Sequence, residues 1–214
     1  IETLLNAVAE VALEKGANLN GAKIGIDSKD DEPPTFKHAG IVYKADAGKV
    51  FGSFSLIGGT AYAFSREEAV DSFDYLFVDE AGQVCIANLV GMCRSAKNIV
   101  LLGDQMQLDQ PIRGAHPGDS GLSTLQYYLE DYEATPADMG IFLSVTRRLP
   151  PNLCEFISSA VYADKLTNSP GTADRKIMNP SGKRITQESG LLFEPVDHKG
   201  CVQASEEEAL RIRE

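Results

Sequence analysis

Apolar positions Ile1, Leu4, Leu5, Val8 and Val11 recur at three- and four-residue spacing, and Gly16 stands where a left-handed cap would end the turn. The chain is therefore predicted to open with an amphipathic helix. Short β-forming runs follow at Lys23 to Asp27, Ile41 to Lys44 and Phe54 to Ile57, with the polar stretch Asp30 to Pro34 read as a solvated loop. From Tyr75 the pattern tightens. Tyr75 to Val78 and Asn98 to Leu102 read as apolar strands, and Ile86 to Arg94 between them has helical spacing. Strand, helix, strand with two apolar strands predicts a buried parallel sheet and an α/β fold.

Further along, Leu122 to Tyr132 and Asn152 to Tyr162 are predicted helices, the second entered through Pro150-Pro151. Ile141 to Leu143 and Leu191 to Phe193 suit strands, and Ser205-x-x-Glu208 is a capping box that opens a last helix. The polar, Gly- and Pro-containing segment from Thr167 to Gly190 reads as an irregular insertion or linker.

A hydrophobic fraction of 43% and a charged fraction of 24% over 214 residues place the chain among globular proteins rather than disordered or fibrous ones. The net charge of −11 repels polyphosphate at long range, so any grip on nucleic acid needs a local positive groove. Four cysteines without a C-x-x-C pair, and three histidines remote from zinc-like spacing, read as reduced structural thiols in a cytoplasmic protein. No apolar run approaches the ~18–20 residues of a membrane span. The first residue is Ile1 and no leader follows it, so a piece of a longer polypeptide is expected.

Chemistry concentrates in two places. Tyr75-Leu76-Phe77-Val78 runs into Asp79-Glu80-Ala81-Gly82-Gln83, which puts two carboxylates at the C-terminal end of a core strand, where open α/β sheets collect ligands. Buried acids without partners are costly, so this pair implies a cation or a set of donors. The strand Asn98 to Leu102 delivers Gly103-Asp104-Gln105-Met106-Gln107-Leu108 to the same sheet edge. An amide such as Gln107 can donate to a phosphate oxygen and accept from a water.

In order and spacing these two segments resemble motifs II and III of superfamily 1 helicases of the DEAxQ type. Two more segments join them: Thr146-Arg147-Arg148-Leu149-Pro150-Pro151 is similar to the segment that opens the second RecA-like lobe. Ile57 to Ser65 is similar to the nucleic-acid-contacting segment ahead of motif II. Together with His116 to Gly121, the set is closest in look to bacterial helicases fused to a RecB-like nuclease domain. The likeness covers most of residues 50 to 165.

The resemblance implies a RecA-like, P-loop helicase core with a partial first lobe over residues 1–143 and the start of a second over 144–214. It implies ATP as the nucleotide, Mg²⁺ on Asp79, Glu80 as the base that orients water, Gln107 as γ-phosphate sensor and Arg148 as an arginine finger. Gln83, Gly103 and Asp104 would line the nucleotide, while Thr60 and Tyr62 would contact single-stranded DNA or RNA. At their spacing, however, Tyr62 and Phe64 read first as core residues of a short helix.

One departure stands out, since no stretch fits Gly-x-x-x-x-Gly-Lys-Ser/Thr: Gly48-Lys49 and Gly182-Lys183 lack both the leading glycine and the hydroxyl residue. The chain alone is expected to bind Mg²⁺·ATP poorly and not to turn it over. An exposed sheet edge and self-association near Tyr75 to Val78 are expected as well. Alternatives are an inactive nucleic-acid or protein docking module and an unrelated two-metal hydrolase using Asp79, Glu80 and Asp104.

Overall fold

A computed structural model describes residues 1–25, 36, 40–45, 47–108, 114, 116–130, 132–177 and 187–213. The fold is mixed α/β, built from short parallel sheets and helices. It divides into two compact units, Ile1–Asp131 and Tyr132–Glu214. The stretch Asp30 to Pro34, read as a loop, lies outside the described residues.

In the first unit the opening apolar stripe forms helix α1 (Glu2–Glu14), and Gly16 takes a positive φ of 65°, as its position after the last turn requires. Leu5 and Ala9 face inward and pack with Ile41, Leu19 and Leu56. Beneath the helix lie β1 (Gly21–Ile24), β2 (Ile41–Lys44) and β3 (Leu56–Gly58), all parallel in the order β2-β1-β3. Lys23 of the central strand is only 1% exposed, an expensive place for an ammonium. Glu2 compensates: its carboxylate lies 3.3 Å from Lys23 Nζ and accepts the Tyr43 hydroxyl proton at 2.5 Å.

A second parallel ladder pairs β4 (Phe73–Val78) with β5 (Ala96–Leu101), joined through α3 (Ile86–Met92). Leu76 and Val78 of β4 enter a core with Leu89, Met92, Leu125, Leu129 and Phe64. Each such buried side chain contributes about 1.5–3 kcal/mol. Tyr75 and Phe77 point the other way and are 58% and 61% exposed. The expectation of a strand buried on both faces is thus corrected: helices cover one side of this pair, and on the other the rings of Tyr75 and Phe77 lie 6.2 Å apart, both exposed. Among the described residues no hydrogen-bonded strand joins this ladder to the three-stranded one.

Helix α2 (Ala61–Phe64) follows β3, and α4 (Thr124–Leu129) closes the unit. The latter starts with a full capping box: Ser123 Oγ accepts from the Gln126 amide at 3.1 Å, and Gln126 Oε1 accepts from the Ser123 amide at 3.0 Å.

The second unit contains β6 (Val145–Thr146), α5 (Pro151–Val161) and β7 (Thr167–Asn168), with the two strands parallel. Cys154 and Ser158 are the buried side of α5, and Ser158 Oγ accepts from the Leu166 amide at 2.9 Å. Ile141 to Leu143 and Leu191 to Phe193, expected as strands, form no ladder; Leu143 and Phe193 are largely exposed, so their apolar side chains found no sheet to join. Helix α6 (Glu206–Arg213) begins as the capping pattern requires, with Ser205 Oγ accepting from the Glu208 amide at 3.2 Å. The Glu208 carboxylate turns instead to His198, 2.9 Å away. Among the described residues no helix is long and apolar enough to cross a membrane.

Candidate active site

Parallel pairing carries the ends of β4 and β5 to the same edge of their ladder, with Val78 registered against Leu101. The chain beyond each strand continues the contact. Leu102 N–H donates to Val78 O at 2.9 Å, and Ala81 N–H donates back to Leu102 O at 2.8 Å. The two loops are thereby clasped backbone to backbone.

Two glycines make the clasp sterically possible. A Cβ on Gly82 would lie 2.3 Å from Asp104 O, and one on Gly103 would lie 2.8 Å from Ala81 N. Gly103 also has a φ of 153°, in the region that side chains disfavour. Gly82 escaped the sequence reading as a shaping residue, although its place directly after the acids was the available signal.

Asp79 and Glu80 sit at the head of this clasp, both exposed. Neither carboxylate hydrogen-bonds or pairs with a cation among the described residues. Burial of the pair, from which a compensating cation was expected, is thus corrected: both acids are open to solvent. Glu80 adopts a left-handed backbone (φ 53°, ψ 44°), unusual for a side chain of its size. The turn Ala81–Gln83 starts from it, so the strain is tied to the sharp exit from β4.

Across the clasp, Asp104 organises its own loop. One carboxylate oxygen accepts from the Met106 amide at 2.9 Å and the other from Gln107 Nε2 at 3.1 Å. Gln83 and Gln107 are both exposed. The structure therefore brings Asp79, Glu80, Gln83, Gly103, Asp104 and Gln107 to one end of one ladder. Among the described residues no group of three His, Cys, Asp or Glu side chains converges to hold a metal ion, so Asp79, Glu80 and Asp104 do not form a three-carboxylate cluster.

Thr60 and Tyr62 lie elsewhere in the first unit, beyond the C-terminal end of β3. Thr60 is the residue before α2 and its hydroxyl makes no capping bond. Tyr62 is 83% exposed whereas Phe64 is buried in the core. The core reading of these aromatics thus holds for Phe64 and is corrected for Tyr62, because α2 is a single turn with only one side on the core. Arg148 belongs to the second unit. Its backbone amide is held by Thr146 Oγ1 at 3.2 Å, and its exposed guanidinium has no partner among the described residues.

No protein-family model matches the chain, and no curated protein matches it.

Proposed function

We propose that the first unit is part of a RecA-like motor core, in which the clasped loops after β4 and β5 handle the γ-phosphate end of ATP while the chain works on a nucleic acid as a helicase. The observation that carries this reading is the 2.8 Å bond from Ala81 N–H to Leu102 O, which sets an unpaired Asp-Glu beside an anchored glutamine. In hydrolysis the oxygen of a water bonds to the γ-phosphorus as the bond to the β,γ-bridging oxygen breaks. The water proton passes to the Glu80 carboxylate, which is free to receive it.

Asp79 suits a hydrated divalent ion, because its carboxylate is exposed and unpaired and Mg²⁺ keeps most of its waters while taking one or two carboxylates plus phosphate oxygens. Mg²⁺, when bound, withdraws charge from those phosphate oxygens. Arg148 carries an exposed guanidinium, a planar charged fork of the kind that neutralises phosphoryl oxygens. Tyr62 offers an open ring for a base to stack on, and Thr60 a free hydroxyl for a backbone phosphate. Single-stranded DNA or RNA is the track this reading assigns.

The test is an amide NMR titration of the chain with Mg²⁺ and the imido analogue of ATP at millimolar concentration. Resonances of residues 79–83 and 103–107 are expected to move together, and much less with ADP. Movement of one loop without the other, or of neither, sinks the reading. Phosphate release from ATP by this chain is expected to stay at the no-protein blank, with Glu80→Gln as the control.

A further inference from the structure

Gln107 is held by one end only. Its Nε2 donates to the Asp104 carboxylate at 3.1 Å, while its Oε1 has no donor among the described residues. The other Asp104 oxygen is fixed by the Met106 amide at 2.9 Å, so the carboxylate is itself oriented by the turn that it closes. An anionic acceptor strengthens the bond to Nε2 and makes the reverse orientation of the amide, oxygen facing oxygen, unfavourable.

We propose that Asp104 is the positioning residue that sets the polarity of Gln107, so that the group offered to the reaction site is the amide oxygen, an acceptor that orients a hydrogen of the attacking water. This rests on the nucleotide reading above and sharpens it. Gln107 acts on the water first, and Asp104 acts through Gln107 rather than as a ligand of the nucleotide. A carboxylate directly against the γ-phosphate would repel it; one step removed, behind a neutral amide, its charge fixes an orientation instead.

The decisive variant is Asp104→Asn, which keeps Oδ1 for the Met106 amide and keeps the shape of the turn. It replaces the acceptor facing Nε2 with an NH₂ donor. Two facing donors force the Gln107 amide to turn over and present its nitrogen. The readout is the pair of Gln107 side-chain amide NMR signals, identified by their loss in Gln107→Leu.

In the unmodified chain, one Gln107 Nε2 proton is expected to exchange about fivefold more slowly than those of the exposed Gln83, and the difference vanishes in Asp104→Asn. On addition of Mg²⁺ with the imido analogue of ATP, the Gln107 signals shift in the unmodified chain, and that shift is reduced at least threefold in Asp104→Asn. Equal shifts in both proteins overturn the positioning role and leave the nucleotide reading standing. No shift of any 79–83 or 103–107 resonance in the unmodified chain removes that reading, and this inference falls with it. Equal exchange of Gln107 and Gln83 before any nucleotide is added overturns the positioning role alone.

Discussion

Replacing Gly82 with alanine probes the clasp directly. The added Cβ would fall 2.3 Å from Asp104 O and 3.1 Å from Asp104 C, against ordinary contacts of about 3.5 Å. Relief requires about an ångström of movement, and the obstructing atoms are backbone, held in place by the Asp104 turn. Gly82 is not among the positive-φ residues, so alanine brings no conformational strain of its own and the effect is steric. Overpacking of this kind costs about 1–3 kcal/mol, from which about 0.4–1 kcal/mol is recovered through the less flexible unfolded chain. A net loss of about 1–2 kcal/mol lowers the urea midpoint by roughly 0.5–1 M at ordinary slopes. Urea unfolding of Gly82→Ala measures it, together with hydrogen exchange at the Ala81 amide, which should accelerate as its bond to Leu102 O stretches. Gly171→Ala is the control, since nothing lies within 4 Å of its added Cβ and its φ is ordinary; it should be neutral or slightly stabilising. A Gly82→Ala protein within about 0.3 kcal/mol of the parent, with Ala81 still protected, refutes the steric account of the two loops.

The remaining expectations are shorter. Glu80→Gly should stabilise the first unit by about 1 kcal/mol in urea unfolding, because it removes a left-handed side chain and breaks no contact; a loss of stability would show that the carboxylate was supporting the fold. Ser123→Ala should cost about 1 kcal/mol by removing the cap of α4, and an unchanged midpoint would count against it. Glu2→Ala should cost about 1–2 kcal/mol by removing the Glu2 carboxylate from the buried Lys23 ammonium, less than for a fully buried pair because Glu2 is 41% exposed. Lys23→Met/Glu2→Ala should recover most of that loss, and if it is no better than Glu2→Ala the burial argument fails. Burial pushes the Cys154 thiol above its ordinary value, so its protonated form is favoured in the fold. Its contribution to stability is therefore complete below the unfolded-state value of 9.0 and declines as pH rises beyond it. At pH 8 Cys154 should be the slowest of the four free cysteines to react with a thiol reagent, and labelling as fast as Cys201 would contradict this.

Periodicity made the helices legible. The stripe Ile1, Leu4, Leu5, Val8 and Val11, the Pro150-Pro151 entry to α5 and the Ser205 cap each announce themselves through local spacing, and the structure places helices there, although of that stripe only Leu5 is buried, with Ala9 beside it. The apolar runs at Tyr75 and Asn98 likewise gave strands and their common edge. Which face of β4 would be covered was not legible, because Tyr75 and Phe77 are as apolar in sequence as Leu76 and Val78, and the position of α2, α3 and α4 separates them. Leu191 to Phe193 failed for the complementary reason: a strand needs a partner, and an apolar run cannot specify one. The Ser123-x-x-Gln126 box was readable and went unread. At the site, residue types and spacing revealed the acids and the amide, but neither the left-handed turn at Glu80 nor the grip of Asp104 on Gln107 has a signature in one dimension.

Among the described residues the ladders of all three sheets are parallel, and their registered partners lie from about twenty residues apart in the chain, as for Gly21 with Ile41, Tyr75 with Asn98 and Val145 with Thr167, to thirty-five, as for Gly21 with Leu56. No hairpin among the described residues can zip up early and template the rest. Refolding must therefore close long connections before the first rung of any ladder forms, which makes it slow and leaves β4, with its two outward aromatic rings, unsheltered in the meantime. Yield on dilution from denaturant should consequently depend steeply on protein concentration, whatever the final stability of the native state.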